Sequence, residues 1–287
     1  METTSLRYFS ETLTLMKQLF IGLLFCSFFP VFAQQSGNQG ALLEEQQPDR
    51  VMIIPFRNYN YLSDADYELA TANNKTMSEI STVFRYGLDL NLSAQISTVY
   101  DSYSILQDTS ITSAAELRKI YSMVRYTYQK PVDYASGNVN TVATHRADLF
   151  GNQVPEEPKK GTIVRKEVEE EEEQEFLNAV IDRSDLLPQL ANAYSVDYFI
   201  FINQMELKTN YKHCLDRATN NFEREVLVHY SIYDAFGRQL KGEAISVVLG
   251  SNDKRLEDII GNYLPQITQN IKTSLDKQIS AQMSAQE

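Results

Sequence analysis

The chain of 287 residues has no tryptophan, three histidines, two cysteines and 11 glycines, and each shortage removes a class of chemistry. Glycine is too sparse for phosphate-cradling loops, and no Gly-x-x-x-x-Gly-Lys loop, Gly-x-Ser-x-Gly elbow or His-Glu-x-x-His helix occurs. Histidine is too sparse to offer many general bases. Basic charge is also short: 26 Lys and Arg against 38 Asp and Glu leave a net charge of −12, which excludes nucleic acid as a partner, because phosphate binding rests on clustered cations. The 43% hydrophobic share excludes a wholly disordered chain, and the length suits one large domain or two small ones.

An apolar run covers 19 to 33, preceded by Lys17 and followed by Gln34-Gln35-Ser36-Gly37. It is shorter than the ~20 residues a spanning helix needs and suits a signal-peptide core. Val31-Phe32-Ala33 places modest side chains where a signal peptidase reads, so cleavage is expected between Ala33 and Gln34. A start at Met16 gives a compact positive leader. A retained N-terminal anchor is the alternative. Phe25 ahead of Cys26 argues against lipidation there, and loss of residues 1–33 leaves Cys214 without an internal disulfide partner. The expected location is periplasmic or outer-membrane-associated.

Residues 34–50 are Gln-rich, with Gly37, Gly40 and Pro48, and predict a flexible tether. Val51-Met52-Ile53-Ile54 before Pro55 predicts a strand buried on both faces. A polar, turn-like stretch from Asn58 to Asn74 follows. Thr76-x-x-Glu79 is a capping box, and Met77, Ile80, Phe84, Leu88, Leu92 and Ile96 form one stripe of a helix that covers the first strand. Residues 99–106 predict a second strand, and Ser113-x-x-Glu116 predicts a cap opening a short helix. Together 51–123 make the first half of an α/β domain.

From 124 to 176 the signal weakens. Tyr126, Tyr128, Tyr134 and Gly137-Asn138 suggest a Tyr-rich hairpin. Pro155, Pro158, Lys159-Lys160 and the glutamates 169–173 then predict an exposed, partly disordered acidic insertion. Its glutamates equally suit the first turn of a helix through Phe176, Leu177, Val180 and Ile181, where acids favour the dipole. They lack the fixed offsets and turn glycine of a calcium loop.

The second half, 177–282, is clearer. Asp185 to Tyr194 predicts a short helix and Val196 to Ile202 a central strand. Alternation over 225–233, the turn Asp234-Ala235-Phe236-Gly237 and a return over 240–249 predict a hairpin. Gly250-Ser251-Asn252-Asp253 reads as a capping cluster for a long helix from Leu256 to Ile279 that Pro265 kinks or divides. The fold class expected is α/β, a mixed sheet flanked by helices.

Candidate chemistry is thin. His145, His213 and His229 are the histidines, and His213-Cys214 is the one tempting pair, yet adjacent strand residues point apart and a zinc site needs three or four ligands. His229, between Val228 and Tyr230, reads as a solvent-side strand residue. The 17 Tyr and 14 Phe fit ordinary strand propensity better than sugar contact. No catalytic, cofactor-binding or metal residue is nominated, and no cofactor is expected.

Arg50-Val51-Met52-Ile53-Ile54-Pro55-Phe56 with a capped helix after it, Leu190 to Ile200 with Asp197-Tyr198 entering a strand, and the Tyr233 to Gly237 hairpin with a long last helix together resemble TolB N-terminal-like domains. That fold is shared by the curli secretion channel subunit and by lipoprotein activators of penicillin-binding proteins. The resemblance covers roughly 51–120 and 184–280. It implies a non-enzymatic protein of the Gram-negative envelope whose partners are envelope proteins, peptidoglycan-associated or outer-membrane, with homo-oligomerisation open. The alternatives are a subunit of an outer-membrane secretion channel and a cell-wall sugar hydrolase, the latter to be recognised by a pocket with two facing carboxylates.

Overall fold

Val51, Met52, Ile53 and Ile54 are all fully buried, and alternate ones enter opposite cores, which requires a strand covered on both faces. In the computed structural model, which describes residues 47–137, 175–216, 221–250 and 253–285 (backbone alone for 212–221), they lie in β1 (Arg50–Ile54). The described residues form one compact unit. The leader at 1–33, the Ala33–Gln34 bond, most of the tether, and the acidic stretch 156–174 lie outside the described residues.

The main sheet has seven strands in the order β3-β1-β7-β8-β9-β5, with β2 (Tyr61–Ser63) also on β7. Here β3 is Asp101–Ser104, β5 Val132–Asp133, β7 Tyr198–Asp216, β8 Asn221–Asp234 and β9 Gln239–Leu249. The β1, β2 and β3 pairings are parallel and the rest antiparallel, so the sheet is mixed. A separate antiparallel pair joins β4 (Val124–Gln129) to β6 (Phe176–Ile181).

One face carries α1 (Asp66–Asn73), α2 (Met77–Ile96), α5 (Leu256–Asn262) and α6 (Leu264–Ser284), packed on Val51, Ile53, Ile200 and Val228. The opposite face carries α3 (Ile111–Ser122), α4 (Leu186–Tyr194), β4 and β6, packed on Met52, Ile54, Phe199 and Phe201. The expected mixed sheet flanked by helices is therefore the observed architecture, and among the described residues no helix is long and apolar enough to cross a membrane.

Local signals account for much of this. The Thr76–Glu79 capping box is formed in both directions, and Ile80, Phe84, Leu88, Leu92 and Ile96 are buried, although Met77 is exposed. Gly237 takes φ 85° in the β8–β9 turn, where Asp234 accepts the N–H groups of Phe236 and Arg238. Helical structure breaks at Tyr263, with Pro265 in the first turn of α6.

Other expectations are corrected. The 58–74 stretch contains β2 and α1. The cap of α3 is Ser110, which accepts Ser113 N–H, one turn before the expected site. Tyr126 and Tyr128 lie on β4, whose partner is the distant β6, and Phe176 to Ile181 form that strand instead of a helix. Asp253 accepts the Tyr263 hydroxyl; the first turn of α5 is capped from outside, by Asn73 Oδ1 on α1 accepting Leu256 N–H at 3.1 Å.

A bulge at Asn203 sets the phase of β7. Ahead of it Ile200 and Ile202 enter the helix-covered core; after it Met205 and Leu207 do, and Gln204 and Glu206 turn to the opposite face. One inserted residue thus moves two polar side chains out of an apolar layer. The Asn203 carbonyl takes Asn60 Nδ2 at 2.7 Å, and its side chain donates to Leu177 O and Ser231 Oγ.

Candidate functional site

In open α/β sheets, ligands favour the carboxyl ends of parallel strands where the connections diverge. Here β1 has β3 on one side and β7 on the other, and its carboxyl end runs into Pro55-Phe56-Arg57. Proline stops the ladder and the chain turns outward, carrying Arg57 to the rim. Its guanidinium lies 5.2 Å from the Tyr121 ring centroid, 5.0 Å from Tyr126 and 5.5 Å from Tyr59. It donates to Val124 O at 2.9 Å and to the Tyr59 hydroxyl.

Arg85 on α2 reaches the same place, donating to Phe56 O and to the Tyr121 hydroxyl, both at 2.9 Å. Tyr121 in turn donates to Pro55 O at 2.7 Å. One turn further along α2, Asp89 is buried; its Oδ2 accepts Ser104 Oγ and Gln107 Nε2, and its Oδ1 has no partner. Burial pushes the Asp89 carboxyl up, against the pull of Ser104, Gln107 and Arg85. Of this cluster the sequence marks only Tyr126, as a hairpin residue; the signal that points to Arg57 is its place just past a buried parallel strand.

A groove of about 1010 Å³ opens at the opposite, amino end of these strands, between Asp49, Arg50, Asp101, Asn192, Asp197 and Phe236. This groove is thus at the end of the sheet that topology does not favour. Arg50 organises it: its N–H donates to Asp197 at 2.8 Å, its Nε pairs with Asp101 at 3.0 Å and its Nη1 donates to Tyr194 O. Burial and then the charge of Asp197 raise the Asp49 carboxyl.

His229 is not on a solvent face. It is buried beneath β6, where Nδ1 accepts Leu177 N–H at 2.9 Å and Nε2 faces Glu206 Oε1 at 3.0 Å. Because Nδ1 accepts, Nε2 carries the hydrogen and donates to Glu206. Glu206 also pairs with Lys208 at 2.7 Å and accepts Gln204. Burial pushes its carboxyl up, but His229 and Lys208 outweigh that and hold it at about 2. His213 and Cys214 lie in the far half of β7, with Cys214 opposite Phe222, and His145 lies outside the described residues. No group of three or more His, Cys, Asp or Glu among the described residues is arranged to hold a metal ion.

No family model matches this chain, and no curated protein matches it. Two solved structures are similar to it. One is lipoprotein GNA1162 from Neisseria meningitidis, at 11% identity and a TM-score of 0.30, covering 79% of this chain and 99% of that one. The other is the hypothetical protein CT253 from Chlamydia trachomatis, at 11% identity and a TM-score of 0.32, covering 79% of this chain and 96% of that one. At these scores neither likeness assigns a family.

Proposed function

We propose that this chain is an exported, non-enzymatic accessory or scaffold protein of the Gram-negative cell envelope, with a TolB N-terminal-like body that binds other envelope proteins. The observation that carries the proposal is how the buried polar side chains are used. His229, Asn203 and Tyr233 each bond a backbone group of β6, to Leu177 N, Leu177 O and Ala179 O. Such groups are used inside the fold, holding β6 to the main sheet, instead of pointing reactive atoms into a cavity. The apolar run at 19–33 and Val31-Phe32-Ala33 support export. Mass spectrometry of the protein purified from its native envelope should find Gln34 at the N-terminus. A strain lacking residues 47–287 whose envelope complexes are all unchanged would overturn the proposal.

A second reading, a cell-wall sugar hydrolase, has one observation in its favour: Asp49, Asp101 and Asp197 line one groove, with the Asp49 carboxyl raised. Against it, Asp101 and Asp197 are both engaged by Arg50. Incubation with purified peptidoglycan decides: soluble sugar fragments from the wild type and none from Asp49→Asn would favour it, and none from either would retire it.

A further inference from the structure

The geometry points to an oxyanion-binding site, for a phosphate or carboxylate group, at Arg57 and Arg85, with the Tyr59 side chain as its exposed cover. Arg50, Arg125, Arg183, Arg224, Arg238 and Arg255 each pair with a carboxylate, whereas among the described residues neither Arg57 nor Arg85 has one within ion-pair distance. In a chain of net charge −12 this is a local positive centre. Asp89 feels the charge of Arg85, but its Oδ2 is engaged by Ser104 and Gln107 and it makes no ion pair with either arginine.

Donor capacity is also left over. Arg57 Nε is buried without an acceptor, and the bonds of the two guanidiniums to Val124 O, Phe56 O, Tyr59 and Tyr121 leave further N–H groups unused. Tyr121 joins the two, stacked under Arg57 and hydrogen-bonded to Arg85, so both charges address one spot. A planar guanidinium held on aromatic faces is pre-organised for bidentate oxyanions. Tyr59 is 66% exposed, and its phenol oxygen takes the Arg57 N–H group that an anion would take. Rotation of that one side chain admits the ligand without disturbing Pro55, Phe56 or Val124.

The test is a titration of the full chain, labelled for arginine Nε–H resonances, with sodium phosphate and separately with sodium acetate, against sodium chloride at equal ionic strength. The expected result is a saturable shift at Arg57 and Arg85 with phosphate or acetate and only a small linear drift with chloride; the arm that saturates names the group. Arg57→Gln should abolish saturation. Since that change also removes the bond to Val124 O, Tyr59→Ala, which keeps both guanidiniums, provides the second arm and should bind severalfold more tightly. Identical drifts in all three salts, or loss of binding in Tyr59→Ala, would overturn the inference.

Discussion

His229 accepts the backbone N–H of Leu177 at 2.9 Å, across 52 positions of sequence. The bond ties the edge of β6 to the middle of the main sheet, where a buried amide without a partner would be costly.

Replacing His229 with Ala should destabilise the protein by about 2–4 kcal/mol, the sum of an orphaned Leu177 amide and a cavity beneath Tyr128 and Glu206. Urea unfolding followed by circular dichroism measures it. A change below about 0.5 kcal/mol, the size of an ordinary surface substitution, would mean that β6 is held by other contacts.

Asn203 allows a sharper experiment. Deleting it straightens the strand and leaves Met205 and Leu207 in phase with Ile200 and Ile202, so a folded chain is expected that lacks only the Asn203 bonds. Asn203→Ala keeps the phase and loses only the bonds to Leu177 O and Ser231, at about 1–3 kcal/mol. Loss of soluble protein on deletion, beside a soluble Asn203→Ala chain, would contradict this reading of the bulge.

Gly242 lies under the buried Phe176 ring, and a Cβ there would overlap that ring and Gln239. Gly242→Ala is expected to cost about 3 kcal/mol by overpacking. In a double-mutant cycle, Phe176→Leu should recover part of that loss, and strictly additive effects would show that the two positions do not touch.

Acid should weaken the fold partly through Glu206. Its carboxyl falls from an ordinary 4.5 to about 2 in the folded chain. Stability from a depressed carboxyl is complete above the unfolded value and is lost as pH falls through the folded one. The contribution of Glu206 therefore disappears between about pH 4.5 and 2. Asp89, whose carboxyl is raised, acts in the opposite sense, because its protonated form is favoured in the folded state. Comparing urea midpoints of the wild type and Glu206→Gln across this range isolates the effect, and the variant should show the shallower acid limb. Parallel curves would rule it out.

Asn73→Ala should lower stability by about 1 kcal/mol, because Asn73 Oδ1 caps α5 while its Nδ2 holds Leu69 O and Lys254 O. Thermal unfolding provides the check, and Asn73→Asp, which keeps the acceptor, should recover part of the loss.

Sequence by itself determined what depends on neighbours a few positions away. The four-residue apolar run of β1, the capping box and stripe of α2, the turn at Gly237 and the break near Pro265 are each written in spans shorter than a few turns, where periodicity and local hydrogen bonds decide. The alternation of β8 was legible too, with Val226, Val228, Tyr230 and Ile232 on one face. What covered the other face was not. Phe176 to Ile181 follows a glutamate run and carries no strand period, so only pairing with β4, 52 residues before it, and the side chains of β7 and β8 make it a strand. For the same reason His229 looked solvent-facing, and Arg57, Arg85 and Tyr121 looked like unrelated residues. Their meeting depends on which strands lie side by side, and that is decided by long-range packing that no local pattern encodes.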